Sequence, residues 1–102
     1  MSRVVITMAK GKDVKTLTYD GAKSIIINNG GRRHVITPTR IDVDNADDGS
    51  NVIRVRTRSG IHDLPIDWDC KYIVVWYDKN DDIIANVDVD GRFMNATIRA
   101  WP

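Results

Sequence analysis

The chain has 102 residues, of which 42% are hydrophobic. This length and composition predict a single domain over residues 1–102 with one modest core. Its 15 basic and 14 acidic residues give a formal charge of +1, which excludes a global electrostatic attraction to nucleic acid or membrane. A single cysteine, Cys70, excludes an intramolecular disulfide, and no apolar run is long enough for a signal peptide or a membrane span. We therefore expect synthesis in the cytoplasm.

The choice of residue types predicts an all-β fold. Every acidic residue is Asp, Glu and Gln are missing, and leucine occurs only at Leu17 and Leu64, whereas Val and Ile together supply 24 residues. Good helix formers are thus replaced by β-branched and turn-forming residues. We predict a single small β-sandwich or barrel of about eight short antiparallel strands, ending in a three-stranded meander.

Two hairpins are predicted in the first part of the chain. The strand-like runs there are RVVITM (3–8), VKTLTY (14–19), SIIIN (24–28) and RRHVIT (32–37). The first pair flanks AKGKD, and the second pair flanks Asn29-Gly30, a dipeptide typical of a type I′ turn. After Pro38, the polar residues 44–51 are expected to form an exposed loop.

The segment IRVRTRSG (53–60) places three arginines at alternate positions of one predicted strand. Arg54, Arg56 and Arg58 would then leave the same face of the sheet. Their spacing of about 6.7 Å is roughly the axial span of two phosphates along one nucleic-acid strand. A three-residue turn with Gly60 in the left-handed conformation is expected to send IHDLP (61–65) back along this strand.

Other residues extend this nucleic-acid interpretation. The basic ones are Arg32, Arg33, Arg40 and Lys71. The aromatic rings available for base stacking are those of Trp68, Tyr72 and Trp76. An oligonucleotide-binding barrel would need both groups.

An ion-pair ladder inside the sheet is the alternative explanation of the arginine row. Polar residues that share one face of an extended run are Asp42 with Asp44, and Asn86 with Asp88. An acidic strand beside the arginine strand would form cross-strand pairs worth about 0.2–1 kcal/mol each. The near-zero net charge favours this ladder or a solvated face over nucleic acid, and an acidic protein partner is a third possibility.

The C-terminal meander is predicted from KYIVVWY (71–77), IIANVDV (83–89) and RFMNATIRA (92–100). Counting outward from the turn at Asn80 predicts the pairs Tyr77–Ile83, Val75–Ala85 and Ile73–Val87. Counting outward from Asp90-Gly91 predicts Val87–Met94, Ala85–Ala96 and Ile83–Ile98. All of these pairs lie on one apolar face of the meander. We expect the opposite face to be partly buried as well, and its residues are Tyr72, Val74, Trp76, Ile84 and Phe93.

No motif predicts a metal, a cofactor or catalysis. NVDVDGR (86–92) imitates the start of a calcium loop, but Thr97 stands where the bidentate Glu is required. DVDNADDGSN (42–51) has a suitable composition for a cation without matching a ligand register. The candidates for zinc or nucleophilic chemistry, His34, His62 and Cys70, lack any paired spacing. Asp63 is poorly placed to orient His62, because neighbouring strand residues point to opposite faces.

Two tryptophans are candidates for docking a protein or, less plausibly, a carbohydrate. Trp68 follows LPID and Trp101 ends the sequence, so these two are the better candidates for exposed anchors, whereas Trp76 lies in a core strand. The alternative for Trp101, which the sequence favours, is a tryptophan that closes one end of the barrel. We predict a non-enzymatic protein-interaction or assembly module, with self-association or a protein partner. A virion-associated phage or viral structural or accessory protein is the natural example, although no residue shows that context. The alternative is a nucleic-acid-binding β-barrel.

Overall fold

The computed structural model describes residues 2–29, 31–45, 51–91 and 95–99, the last range for its backbone alone. Ten strands are present in chain order: β1 (Arg3–Lys10), β2 (Asp13–Asp20), β3 (Ala22–Asn29), β4 (Arg32–Thr37), β5 (Arg40–Asn45), β6 (Val52–Thr57), β7 (Gly60–Pro65), β8 (Lys71–Tyr77), β9 (Ile83–Asp90) and β10 (Asn95–Arg99). Sheet I has the order β10-β9-β8-β1-β2, and sheet II has the order β5-β4-β3-β6-β7. Every strand pair is antiparallel.

The two sheets form a β-sandwich, which confirms the predicted all-β class and excludes the barrel. Their inner faces share one apolar core, because alternate residues of each central strand point inward. Fully buried members from sheet I are Val4, Ile6, Val74 and Val87, and those from sheet II are Ile25, Ile27, Ile36 and Ile53. β-branched side chains suit such a pleated inner surface. There are ten described strands where about eight were predicted.

The three predicted hairpins of sheets I and II exist, with two changes at their turns. In the first, Lys10 pairs with Asp13. In the second, Asn29 pairs with Arg32, so Asn29 belongs to the strand rather than to the turn; Gly30 lies outside the described residues. In the third, Thr57 pairs with Gly60, so the turn has two residues rather than three, and Gly60 has a φ of 141°.

The predicted exposed loop begins later than expected, because Asp44 and Asn45 still pair with β4. Both are exposed residues at the end of β5. Residues 46–50, which form most of the predicted loop, lie outside the described part of the chain.

The C-terminal meander is confirmed, but most of its predicted register is wrong. Tyr77 pairs with Ile83 as expected, whereas Trp76 pairs with Ala85, so Ile84 is an extra residue at a β-bulge. Beyond the bulge the register shifts by one, which turns Tyr72, Val74 and Trp76 toward the core. A one-residue slip exchanges the two faces of a strand.

The last connection of the meander also differs from the prediction. Ile98 pairs with Val87 and Ala96 pairs with Val89, so the link is longer than a two-residue turn at Asp90-Gly91. Phe93 and Met94 lie outside the described residues. In the described chain, no helix has the length and apolar character that crossing a membrane requires.

Candidate interaction surfaces

The arginine row is partly neutralised within sheet II. Arg54 donates to Asp63 on the neighbouring strand through two bonds, Nε to Oδ1 at 2.7 Å and Nη2 to Oδ2 at 3.0 Å. Hydrogen bonding to Arg54 lowers the pKa of the Asp63 carboxyl below its usual range. A bidentate guanidinium–carboxylate pair is the strong form of such a contact. Arg54 is therefore engaged with the sheet itself.

Asp63 is a partner that sequence reasoning missed, and its signal was present in the sequence. Counting outward from the pair Thr57–Gly60 places Asp63 opposite Arg54. The expected acidic neighbours of the arginine strand were wrong: Asp42 and Asp44 lie on β5, which β4 and β3 separate from β6 in the sheet. Asp88 belongs to sheet I.

A second cross-strand pair lies on the same outer face of sheet II. Arg33 Nη2 contacts Asp44 Oδ2 at 3.1 Å, and these residues are direct partners of β4 and β5. Arg40 contacts Asp42 at 2.9 Å along the same strand. The sheet thus contains short elements of the predicted ladder.

The remaining predicted basic residues are not brought together into one row. Arg56 is exposed on β6, whereas Arg58 lies in the following turn and Arg32 lies at the start of β4. No ion pair involves these three arginines in the part of the chain that the structure describes. Of the three arginines that a phosphate site on this strand would use, Arg54 is therefore ion-paired, whereas Arg56 and Arg58 have no ion pair in the described chain.

The predicted stacking rings are mostly unavailable. Tyr72 and Trp76 are each 1% exposed, so neither ring can stack on a base. The Tyr72 hydroxyl accepts from the Asp67 N–H at 2.8 Å and donates to the Pro65 carbonyl at 3.2 Å. Burial raises the pKa of Tyr72 to about 12. Trp68 is 71% exposed between β7 and β8, as predicted, and Trp101 lies outside the described residues.

The outer face of sheet I carries an apolar strip at its centre. Ile73, Val75 and Tyr77 follow one another on this face of β8, and Val5 is the cross-strand partner of Val75. Ile73 is 47% exposed, while Val75, Tyr77 and Val5 are half-buried. Ile83, the partner of Tyr77, extends the strip and is exposed. We call these five residues the β8 strip.

Charged and polar groups surround the β8 strip. Asp88 is the cross-strand partner of Ile73, and Lys71 pairs with Asp90 further along the same two strands. At the other end, Arg3 pairs with Asp81 and lies over the Tyr77 ring at 4.4 Å. An apolar centre with a polar rim is the usual anatomy of a protein-binding surface.

The sandwich also has strands with one unpaired side. Within the described chain, β2, β5, β7 and β10 each pair with a single neighbour. β2 is mostly exposed, although the Tyr19 ring contacts the His62 ring of sheet II at 5.1 Å between centroids. Unpaired strand edges can template pairing with another chain.

Nothing in the described residues gathers the groups that a metal site needs: no cluster of three or more His, Cys or Asp side chains occurs. Asn86 and Asp88 alternate with the buried Val87 and Val89, so this part of the calcium-like segment is an ordinary strand. Burial raises the pKa of the Cys70 thiol.

Comparison with known protein families, curated proteins and solved structures gives no match.

Proposed function

We propose that this chain is a non-enzymatic assembly module that associates with a second copy of itself through the outer face of sheet I. The observation that carries the proposal is the β8 strip, which leaves Ile73 and Ile83 exposed on the outer face of a sheet. Isolated surface isoleucines need no explanation, but a contiguous apolar strip on a sheet does. A second copy is the occupant because two such faces can pack as sheet on sheet.

The rim of the strip supports a self-complementary contact. Asp88, Asp90 and Lys71 lie toward one end, and Arg3 with Asp81 toward the other. Each end thus carries both signs, so a second copy of the face can place groups of opposite sign against them. The middle of the face is built from Val5, Thr7, Ile73 and Val75. None of these side chains is long, so the outer faces of two copies can approach each other closely.

The test is the oligomeric state of two matched variants. Ile73→Lys places a charge on the strip opposite Asp88, and Ile61→Asp places a charge on sheet II opposite Arg56. Both isoleucines are exposed strand residues, so neither change disturbs the core. Sedimentation velocity over a micromolar concentration series should show a dimer for wild type and Ile61→Asp, and a monomer for Ile73→Lys. A monomeric wild type throughout the series would overturn the proposal.

The nucleic-acid alternative has one observation in its favour, the lack of carboxylate partners at Arg56 and Arg58 among the described residues. Against it, Arg54 and Arg33 are already paired. Labelled single- and double-stranded oligonucleotides should therefore bind weakly, and equally in a variant with Ser at positions 54, 56 and 58. Tight binding that falls steeply with salt and is lost in that variant would replace assembly by nucleic-acid binding.

A further inference from the structure

A cleft opens at the end of the sandwich where β2 passes into β3. It has a volume of about 530 Å³, and the β4–β5, β6–β7 and β8–β9 turns border it. Its apolar lining includes Ile84 and the exposed Pro38, together with Trp76, which is almost fully buried. This volume lies within the range of small-molecule sites, about 300–1,000 Å³.

Three cations from three different elements line this cleft: Lys23 of β3, Arg58 of the β6–β7 turn and Lys79 of the β8–β9 turn. All three are exposed, and no ion pair involves them in the described chain. The carboxylate among the described lining residues is that of Asp78. Its Oδ1 accepts the backbone N–H groups of Asn80 and Asp82 at 2.8 and 3.0 Å. We call this site the basic cleft.

Convergent positive charges beside an apolar wall create a positive potential that attracts anions. The near-neutral chain as a whole has no such field, so the concentration of cations at this end is local. Arg58 was placed in a row along β6 by the sequence pattern, but its position in the turn directs it to the cleft instead.

A second observation is independent of the charges. The indole N–H of Trp76 is buried and has no hydrogen-bond partner among the described residues. A buried donor without an acceptor is unfavourable, and such groups in native proteins call for an explanation. Trp76 lines the basic cleft, so the resonance of this N–H can report a molecule that binds there.

We propose that the basic cleft binds a small organic anion, with its oxyanion held by Lys23, Arg58 and Lys79 and its apolar body against Ile84 and Pro38. The ligand class is a carboxylate or phosphate monoester that carries an aromatic or branched group. Charge-assisted hydrogen bonds from the three cations would provide most of the recognition. This site is separate from the β8 strip and does not depend on self-association.

The test follows the indole N–H resonance of Trp76 by NMR, assigned with Trp76→Phe, during titration with phenyl phosphate and with benzoate. Inorganic phosphate and benzyl alcohol serve as probes that lack the apolar body or the charge. We expect a saturable shift of the Trp76 resonance with at least one aromatic anion, while the exposed Trp68 resonance stays in place. The tighter of the two anions identifies the preferred head group.

Matched charge variants complete the experiment. Lys23→Ser with Lys79→Ser should weaken binding of the aromatic anion by about tenfold or more. Lys12→Ser with Lys15→Ser removes the same charge from the β1–β2 hairpin, at the opposite end of the strands, and should leave binding unchanged. Equal weakening in both variants, equal affinity for benzyl alcohol, or no shift of Trp76 up to about 10 mM probe would overturn the proposal.

Discussion

The arginines of sheet II differ in whether a carboxylate neutralises them, and this difference decides what each can do. Arg54 is held by Asp63 in two hydrogen bonds, whereas Arg56 is exposed without an ion pair in the described chain. Arg58 borders the basic cleft. A periodic row in the sequence is thus divided among a structural pair, an exposed surface charge and a candidate ligand-binding residue.

The Arg54–Asp63 pair should give a small, pH-dependent stabilisation. Asp63→Asn preserves the side-chain shape, so we expect the free energy of unfolding at neutral pH to fall by about 0.2–1 kcal/mol. The hydrogen bond from Arg54 lowers the native pKa of Asp63. The contribution is therefore complete above the ordinary carboxyl pKa of about 3.9 and is lost as the pH falls through the lowered native value.

Urea unfolding of wild type and Asp63→Asn at a series of acidic pH values measures this difference. Asp13→Asn is the control, because Asp13 is exposed and has no ion pair among the described residues. The wild-type advantage over Asp63→Asn should shrink toward zero at the lowest pH. A difference that stays constant with pH would contradict an ionic origin.

His34 should make the protein less stable in mild acid. Its Nδ1 atom is buried without a partner in the described chain, and burial together with the charge of Arg32 lowers its pKa. The unfolded chain therefore binds a proton more readily than the native protein. Stability should fall as the pH drops below about 6.5, until the lowered native pKa is passed.

The comparison variant is His34→Leu, which removes the titrating ring. Its thermal unfolding temperature should depend less on pH between neutral and mildly acidic buffer than that of wild type. An identical pH dependence in both proteins would assign the effect to other groups.

At the scale of elements, hairpins with local turn signals were predictable and bulges were not. RRHVIT was predicted at residues 32–37, where β4 lies, because the turn signal Asn29-Gly30 separates it from the preceding strand-like run. The predicted register of β8 and β9 was wrong because Ile84 is an extra residue at a bulge. An apolar residue within an apolar run gives no sign of a bulge in the sequence. Consequently Ile73 and Val75 were expected in the core and instead form the β8 strip.

The candidate sites were less predictable than the fold. Arg54 could be assigned to a sheet face from its spacing, but its partner depends on the length of the β6–β7 turn, which has two residues where three were predicted. The basic cleft gathers Lys23, Arg58 and Lys79 from distant parts of the sequence. No local pattern can reveal such a meeting, because it depends on how the two sheets are stacked.

Gly91 ties the end of β9 to the β7–β8 connection. Its N–H donates to the Cys70 carbonyl at 3.0 Å, and a Cβ at this position would overlap the backbone carbonyl of Asp67. Backbone atoms cannot yield as a flexible side chain can. We expect Gly91→Ala to lower the free energy of unfolding by about 1–3 kcal/mol.

Gly11→Asn is the matched control for Gly91→Ala. Gly11 has a φ of 59°, which asparagine tolerates, and a Cβ added there would meet no atom within 4 Å beyond its chain neighbours. Denaturant unfolding should show the larger loss at Gly91. Replacing glycine by alanine lowers the entropy of the unfolded chain and stabilises the protein wherever the native structure has room for the methyl group. A gain in stability for Gly91→Ala would therefore contradict the close contact with Asp67.

At the scale of the whole molecule, the shared core predicts that both sheets unfold together. Ile27 of sheet II and Val74 of sheet I are both fully buried in one apolar cluster. The sheets are joined chiefly by this packing, since each strand forms its ladder within its own sheet. A substitution that weakens the packing of one sheet should therefore destabilise the other sheet as well.

Ile27→Val removes one buried methylene and should lower the free energy of unfolding by about 0.5–1.5 kcal/mol. If the sandwich is one cooperative unit, the slowest-exchanging amides of β3 and of β8 exchange through the same global opening. Their protection in native-state hydrogen exchange should then fall by the same factor in the variant. A loss confined to β3, with β8 protection unchanged, would mean that sheet I is stable without sheet II, and the chain would then contain two folding units.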